Sequence, residues 1–194
     1  MFDRVKDNYE YDFWTKEKGK ENHYNECYKR SLQEFGIDEE FESIIELGAG
    51  PFSGFLPLFN AKRKVSVDPL NDRYKQDGFK MFDDIEYITD YFEDINFTEK
   101  FDAFFSKNSL DHGEMSFKTL EKIYSILNDG GKFYLLVNLR TEEQLNVGHD
   151  HSLTHEDFIS EASRCGFKIL KDEVWDTDKI HGDGYKTLCA VLQK

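Results

Sequence analysis

The chain has 194 residues, a length that suits one domain with a substantial core. Aromatic residues form 15% of it, which argues against disorder despite a charged fraction of 33%. The formal net charge of −14 argues against nucleic acid and anionic membrane surfaces as partners. Three widely spaced cysteines favour reduced thiols and a cytoplasmic location. The start of the chain lacks the apolar segment of a secretory signal, and no apolar run reaches the roughly 18 residues of a membrane span.

The first forty residues are charged and aromatic, and we expect residues 1–40 to form a helical cap ahead of the core. Apolar side chains from Tyr24 to Phe35 recur at helical spacing and predict a helix that Gly36 ends. Trp14 belongs to an aromatic cluster ahead of this helix. It could close over a bound ligand as a lid, or pack the first helix against a sheet.

Five apolar segments predict strands: Ser43–Leu47, Lys64–Asp68, Ile85–Ile88, Phe101–Ser106 and Lys132–Asn138. Several of them are short apolar runs without strict alternation, which is typical of strands buried on both faces. Helical patterns lie between them, one from Phe117 to Leu127 and one that begins at Thr154 with a capping box to Asp157. The alternation of strands and helices predicts a parallel sheet covered by helices.

The last part of the chain differs from this pattern. Lys168–Trp175 and Tyr185–Leu192 flank a Gly-Asp-Gly turn, which predicts a hairpin. The sheet is therefore expected to end with an antiparallel strand.

A glycine-rich turn follows the first predicted strand. The run Glu46–Gly50 places an acid two residues before Gly48, and glycine lets backbone approach a ligand closely because it has no Cβ. A second acid, Asp68, follows about twenty residues after Gly48, where nucleoside-binding α/β folds place a carboxylate on the ribose hydroxyls. The next glycine, Gly54, comes four residues after Gly50, and this spacing disfavours NAD.

From about Phe41 to its end, the chain resembles the class I S-adenosylmethionine-dependent methyltransferases. Besides the glycine-rich turn, four segments carry the resemblance in the expected order: Val67–Asp68, Thr89–Asp94, Phe101–His112 and Leu127–Phe133. The resemblance implies an α/β, Rossmann-like fold: a doubly wound, mostly parallel seven-stranded sheet with a C-terminal antiparallel hairpin strand and helices on both faces. It also implies a single methyltransferase domain over residues 1–194, with the cofactor-binding core over residues 41–194.

The same resemblance implies that S-adenosyl-L-methionine is the cofactor and binds at the carboxyl ends of strands 1, 2 and 4. Glu46 would face the cofactor's ammonium group, and Asp68 would accept hydrogen bonds from both ribose hydroxyls. Asp90 would accept from the adenine amino group, with Glu93 and Asp94 as alternatives. The residues expected to bind the cofactor are Glu46, Gly48, Ala49, Gly50, Asp68, Pro69, Asp90, Tyr91, Phe92 and Asn108.

The loop after the fourth strand carries the candidate catalytic residues Asp111 and His112. Methyl transfer to a hydroxyl needs a group that takes up a proton, and histidine has a suitable pKa near neutrality. The structural alternative is that Asp111 caps a turn while His112 fills a loop.

The long link after the fifth strand carries Arg140, His149 and His151. Because this link could cover a substrate, these three residues are candidates for substrate contact. Trp14, as part of a lid, is a further candidate. With His155, the histidines are spaced His-x-His-x-x-x-His, a pattern that could bind a metal. A plain surface loop is the alternative, and we assign no metal.

The expected function is O- or N-methylation of a sugar or another small metabolite. A nicotinamide-dependent oxidoreductase and a methyltransferase-like binding module without catalysis remain the alternatives. We expect a small-molecule substrate and neither nucleic acid nor membrane as a partner.

Overall fold

The computed structural model describes residues 4–112, 117–145, 149, 152–176, 180 and 185–194. Two helices precede the sheet, α1 (Arg4–Lys16) and α2 (Glu21–Phe35). Gly36 adopts the left-handed conformation after α2, and its N–H donates to the Leu32 and Gln33 carbonyls. The predicted end of this helix is therefore confirmed.

Seven strands form one sheet in the order β3-β2-β1-β4-β5-β7-β6. Their bounds are β1 (Ser43–Leu47), β2 (Arg63–Val67), β3 (Glu86–Ile88), β4 (Phe101–Lys107), β5 (Leu127–Leu139), β6 (Lys168–Trp175) and β7 (Lys186–Gln193). Strands β1 to β5 pair in parallel, whereas β7 is antiparallel to both β5 and β6. The predicted seven-stranded, mostly parallel sheet with antiparallel pairing at its C-terminal end is confirmed. The predicted Gly-Asp-Gly turn lies outside the described residues.

Three further helices accompany the strands: α3 (Asn71–Gln76), α4 (Phe117–Ile126) and α5 (His155–Arg164). Thr154 caps α5, since its Oγ1 accepts a hydrogen bond from the Asp157 N–H at 3.1 Å. The link from β1 to β2 differs from the predicted alternation, because it holds only two 3-10 turns, Gly50–Phe52 and Leu56–Leu58. Positive φ angles at Gly50, Ser53 and Gly54 interrupt any longer helix there. Pro57 could not continue a helix from the first turn, because it has no N–H to donate.

Neighbouring residues of the buried strands face opposite sides of the sheet. Ile44 and Phe105 pack with α2 and α3, whereas Ile45 and Phe104 pack with α4 and α5. On the α2 side the Phe105 ring stacks on Tyr134 with their centroids 4.9 Å apart. Helices therefore cover both faces, as expected. Among the described residues, no helix combines the length and hydropathy that crossing a membrane requires.

Candidate active site

A cavity of about 740 Å³ lies at the carboxyl ends of the parallel strands. Leu47 of β1 is in register with Val67 of β2 and Ser106 of β4, so the loops after these strands share one edge of the sheet. Helix α1 supplies a further wall of the cavity. The predicted site residues that line it are Trp14, Gly48, Asp68, Pro69, Tyr91, Phe92, Asn108, His112, Arg140 and His149. Glu46, Ala49, Gly50, Asp90 and Asp111 do not line it, and His151 lies outside the described residues.

Gly48 has a φ of 66°, a conformation that favours glycine. A Cβ at this position would lie 2.2 Å from Cβ of Ser109. Ser109 comes close because its Oγ donates to the Leu47 carbonyl at 2.7 Å. The missing Cβ at Gly48 therefore admits the loop after β4, in addition to leaving room at the cavity that Gly48 lines.

Glu46 does not line the cavity, and its predicted contact with the cofactor's ammonium group stays a prediction. The side chain is fully buried, and Oε2 accepts from the Phe55 N–H at 2.7 Å. Oε1 has no hydrogen-bond partner within the described part of the chain and lies where a Cβ on Gly54 would fall. Burial raises the pKa of Glu46 to about 8, although backbone donors oppose the shift. The acid therefore stabilises the segment that follows the glycine turn, at Gly54 and Phe55.

Asp68 ties the turns after β1 and β2 together. Oδ2 accepts from the Gly50 N–H at 3.1 Å, and Oδ1 accepts from the Leu70 N–H at 2.8 Å. Each carboxylate oxygen has more than one lone pair, so both oxygens keep capacity for hydroxyl donors in the cavity. Burial raises the pKa of Asp68 to about 6, although the two backbone N–H groups oppose the shift.

The segment after β3 approaches the cavity with Tyr91, Phe92 and Glu93. Asp90, by contrast, is exposed and accepts a hydrogen bond from the Tyr91 N–H at 2.8 Å. Asp90 does not line the cavity, and its predicted contact with adenine stays a prediction. Glu93, one of the two alternatives, is the acid of this segment that borders the cavity. The Tyr91 hydroxyl donates to Asp7 at 2.5 Å, which joins α1 to this segment.

Asn108 connects the ends of β4 and β5. Its φ is 48°, a left-handed conformation that asparagine tolerates better than most residues. Its N–H donates to the Leu136 carbonyl at 2.8 Å, and Oδ1 accepts from the Asn138 N–H at 3.0 Å. These contacts fix the start of the loop after β4 against the last residues of β5.

Asp111 is buried and contacts two residues of the link after β5. Its Oδ2 lies 2.9 Å from Nδ1 of His149 and 3.4 Å from Nε of Arg140. Burial would raise the pKa of Asp111, but the contact with His149 and the charges of His112, His149 and Arg140 outweigh it and lower that pKa. The acid does not itself line the cavity, whereas His149 and Arg140, which it contacts, do.

His112 lies on the cavity wall beside His149, with 4.2 Å between the ring centroids. Nδ1 of His112 is 3.5 Å from Oε1 of Glu10, and the His112 carbonyl accepts from Nζ of Lys6 at 3.2 Å. Sequence reasoning missed both of these α1 residues. Their spacing contained a signal, because positions 6, 7, 10 and 14 lie on one helical face.

Comparison with solved structures identifies the fold. A chain from the complex of the Haloferax volcanii Trm112 methyltransferase activator with a candidate methyltransferase matches at a TM-score of 0.71 and 18% identity, over 100% of this chain and 98% of that one. The N-methyltransferase NodS of Bradyrhizobium japonicum, in complex with S-adenosyl-L-homocysteine, matches at 0.68 and 15%, over 89% of this chain and 87% of its own. The chain has the class I methyltransferase fold.

A Mesorhizobium loti S-adenosylmethionine-dependent methyltransferase shares this methyltransferase fold at a TM-score of 0.68 and 15% identity, over 87% of this chain and 98% of that chain. At such identities the likeness establishes the fold and leaves the substrate open. No protein-family model matches the sequence, and no curated protein matches it significantly.

Proposed function

We propose that the protein is an S-adenosylmethionine-dependent methyltransferase that acts on a small molecule. The observation that carries this proposal is the position of Asp68, a buried carboxylate at the end of β2 that borders the cavity. In the methyltransferase fold this is where the ribose of a nucleoside cofactor is held. Gly48, Pro69 and Asn108 line the same cavity and would complete the cofactor site.

The order of the strands separates two ends of the cavity. Asp68, Tyr91 and Glu93 follow β2 and β3, and we assign the adenosine of the cofactor to this end. His112, Arg140 and His149 follow β4 and β5 on the other side of β1, and we assign the methyl acceptor to that end. Asp111 contacts His149 and Arg140 and positions their side chains at the acceptor end of the cavity.

The size of the cavity supports a small acceptor. About 740 Å³ is within the range of roughly 300–1,000 Å³ that small-molecule sites occupy. α1 borders this space, and its Trp14 packs edge-on against Phe52 with 5.8 Å between centroids. We therefore assign residues 1–40 the role of a cap over the site.

Arg140 indicates the chemistry of the acceptor. Its guanidinium is buried, lies over the Tyr185 ring at 4.2 Å and reaches Asp111 through Nε. Nη1 has no hydrogen-bond partner among the residues that the structure describes. Because a buried donor without a partner is costly, an anionic group on the acceptor is the ligand that this position suits.

The proposal is tested by measuring melting temperature with S-adenosylhomocysteine and, separately, with NAD. At a concentration about 100-fold above Kd, S-adenosylhomocysteine should raise the melting temperature by roughly 5–10 °C, and NAD should not. A shift with NAD alone would favour an oxidoreductase and overturn the proposal. Binding of S-adenosylhomocysteine without turnover of any acceptor would favour a binding module.

A further inference from the structure

We propose that Asp111, His112 and His149 form a binding site for a divalent transition-metal ion at the acceptor end of the cavity. One potential ligand atom from each residue lies within 4.8 Å of the other two. The loop after β4 supplies Asp111 and His112, and the link after β5 supplies His149. Among the described residues, His149 is joined by two residues from another loop. His151 of the histidine pattern lies outside the described residues.

The distance between Asp111 and His149 is compatible with two ligands of one ion. Oδ2 and Nδ1 are 2.9 Å apart. When two ligand atoms each lie about 2.1 Å from an ion and the angle between the two bonds is 90°, the atoms are about 3.0 Å apart. A proton that joins these atoms in the free protein would be replaced by the ion.

Two further observations favour an ion at this place. Oδ1 of Asp111 is buried and has no hydrogen-bond partner in the described part of the chain, although such atoms nearly always have one. Oε1 of Glu10 lies 3.5 Å from Nδ1 of His112. A carboxylate behind the second ring nitrogen is the usual support of a metal-binding histidine.

The ligand set determines the class of metal. Two imidazoles and one carboxylate suit manganese, iron, cobalt or zinc rather than calcium or magnesium, which prefer oxygen ligands. Three protein ligands leave coordination positions open for an oxygen of another molecule. The positive charge of Arg140, whose Nε is 3.4 Å from Asp111, lowers the affinity for a cation and favours an anionic acceptor beside it.

The role of the ion rests on the proposed methyltransferase function, whereas its binding does not. An acceptor hydroxyl that binds the ion has a lowered pKa and releases its proton to solvent. The oxygen then forms a bond to the methyl carbon as the carbon–sulfur bond breaks. The electron pair of that bond goes to sulfur, and S-adenosylhomocysteine leaves as a neutral thioether. The inference therefore favours O-methylation.

The test uses the full chain, freed of metal with EDTA and titrated with Co²⁺ by calorimetry and optical absorption. We expect one ion per chain, with affinity lowered roughly tenfold or more in His112→Ala and in His149→Ala. His155→Ala is the matched control, because its side chain lies 3.3 Å from Asp172 and does not line the cavity. It should bind Co²⁺ as the unmodified chain does. Absence of binding, or equal affinity in all three variants, would overturn the inference.

The same preparations separate this inference from the proposed function. Each is also measured for the rise in melting temperature with S-adenosylhomocysteine, which reports folding and cofactor binding together. Co²⁺ binding without that rise would refute the methyltransferase proposal and keep the metal site. The rise without Co²⁺ binding would refute the metal site alone. Asp111→Asn should also weaken Co²⁺ binding, and if it fails to fold the two histidine variants decide.

Discussion

Nδ1 of His149 lies 2.9 Å from Oδ2 of Asp111, and this contact joins the loop after β4 to the link after β5. Asp111 is 2% exposed, so its charge depends on partners within the protein. The buried acid contacts His149 and Arg140, while His112 faces Glu10. Two histidines and one acid thereby meet at the acceptor end of the cavity.

Asp68→Asn should weaken binding of S-adenosylhomocysteine. The substitution removes a charged acceptor, and hydrogen bonds to charged groups contribute about 1.5–3 kcal/mol, which corresponds to roughly 10- to 150-fold in Kd. Asp72→Asn, on the exposed side of α3, is the matched control and should leave the Kd unchanged. Calorimetric titration measures both. Equal affinity in the two variants would remove Asp68 from the cofactor site.

Binding of S-adenosylhomocysteine should also weaken as the pH falls. Burial raises the pKa of Asp68 to about 6, so the carboxylate is ionised above that pH and becomes neutral below it. The neutral form is the weaker acceptor, and the Kd should rise by up to tenfold per pH unit below about 6. Titrations from pH 5 to pH 8 check this. The profile should be flatter in Asp68→Asn, and an identical slope there would assign the titration to another group.

Glu46→Gln should change how the free energy of unfolding depends on pH. The pKa of Glu46 is about 8 in the fold against an ordinary 4.5, so the fold favours the protonated form. Stability from this group is present below pH 4.5 and is lost as the pH rises through 8.

Glutamine stays neutral and can still accept from the Phe55 N–H. As the pH rises from 5 to 9, the unmodified chain should lose free energy of unfolding that the variant keeps. The difference should reach on the order of 3 kcal/mol, measured by urea unfolding. Glu42→Gln, at a side chain that is 72% exposed, serves as control and should follow the unmodified chain. If the unmodified chain and both variants lost the same free energy of unfolding as the pH rises, the raised pKa of Glu46 would be contradicted.

Gly48→Ala should destabilise the fold and reduce cofactor binding. The new Cβ would meet Cβ of Ser109 at 2.2 Å and would also sit at a positive φ. Gly78→Ala is the matched control, because Gly78 has a φ of 74° but nothing within 4 Å of a new Cβ. The control should cost about 1–2 kcal/mol from backbone strain alone, and Gly48→Ala roughly 2 kcal/mol more. If urea unfolding showed the same loss of free energy of unfolding in both variants, the loop after β4 would be able to move away from the new Cβ without destabilising the fold.

His112→Ala should lower methyl transfer while leaving cofactor binding nearly intact. The ring lies at the acceptor end, separated by β1 from the end that holds Asp68. His112 would assist proton removal either as a base or as a ligand of the proposed ion, and loss of such assistance costs roughly 100- to 10,000-fold in turnover. Turnover is followed as S-adenosylhomocysteine release once an acceptor is found, and affinity by calorimetry. If affinity falls instead, His112 belongs to the cofactor end.

Local sequence signals predicted much of the fold. The bounds of β1 and β6 agree with prediction, and Gly36 and Thr154 mark helix ends where the sequence places them. These features depend on side-chain period and on caps, which a few neighbouring residues determine. The absent helix between β1 and β2 shows the limit of alternation, since glycines and prolines shape that link instead.

The direction of side chains was harder to predict than the position of elements. Glu46 turns behind its loop and Asp90 turns to solvent, although both sit in segments that border the cavity. A sequence motif specifies residue types in order, whereas packing decides which side chain enters a cavity. Lys6 and Glu10 show the converse, because they lie at the site without belonging to any motif.

The sequence by itself determined that a glycine turn, Asp68 and the Asp111-His112 loop follow separate strands of a parallel sheet. Since parallel strands present their carboxyl ends at one edge, this placed a ligand site there. Only the tertiary structure decided that Asp111 meets His149, that Glu10 backs His112 and that Trp14 borders the cavity. Those contacts join segments far apart in the chain, and only the folded chain brings these segments together.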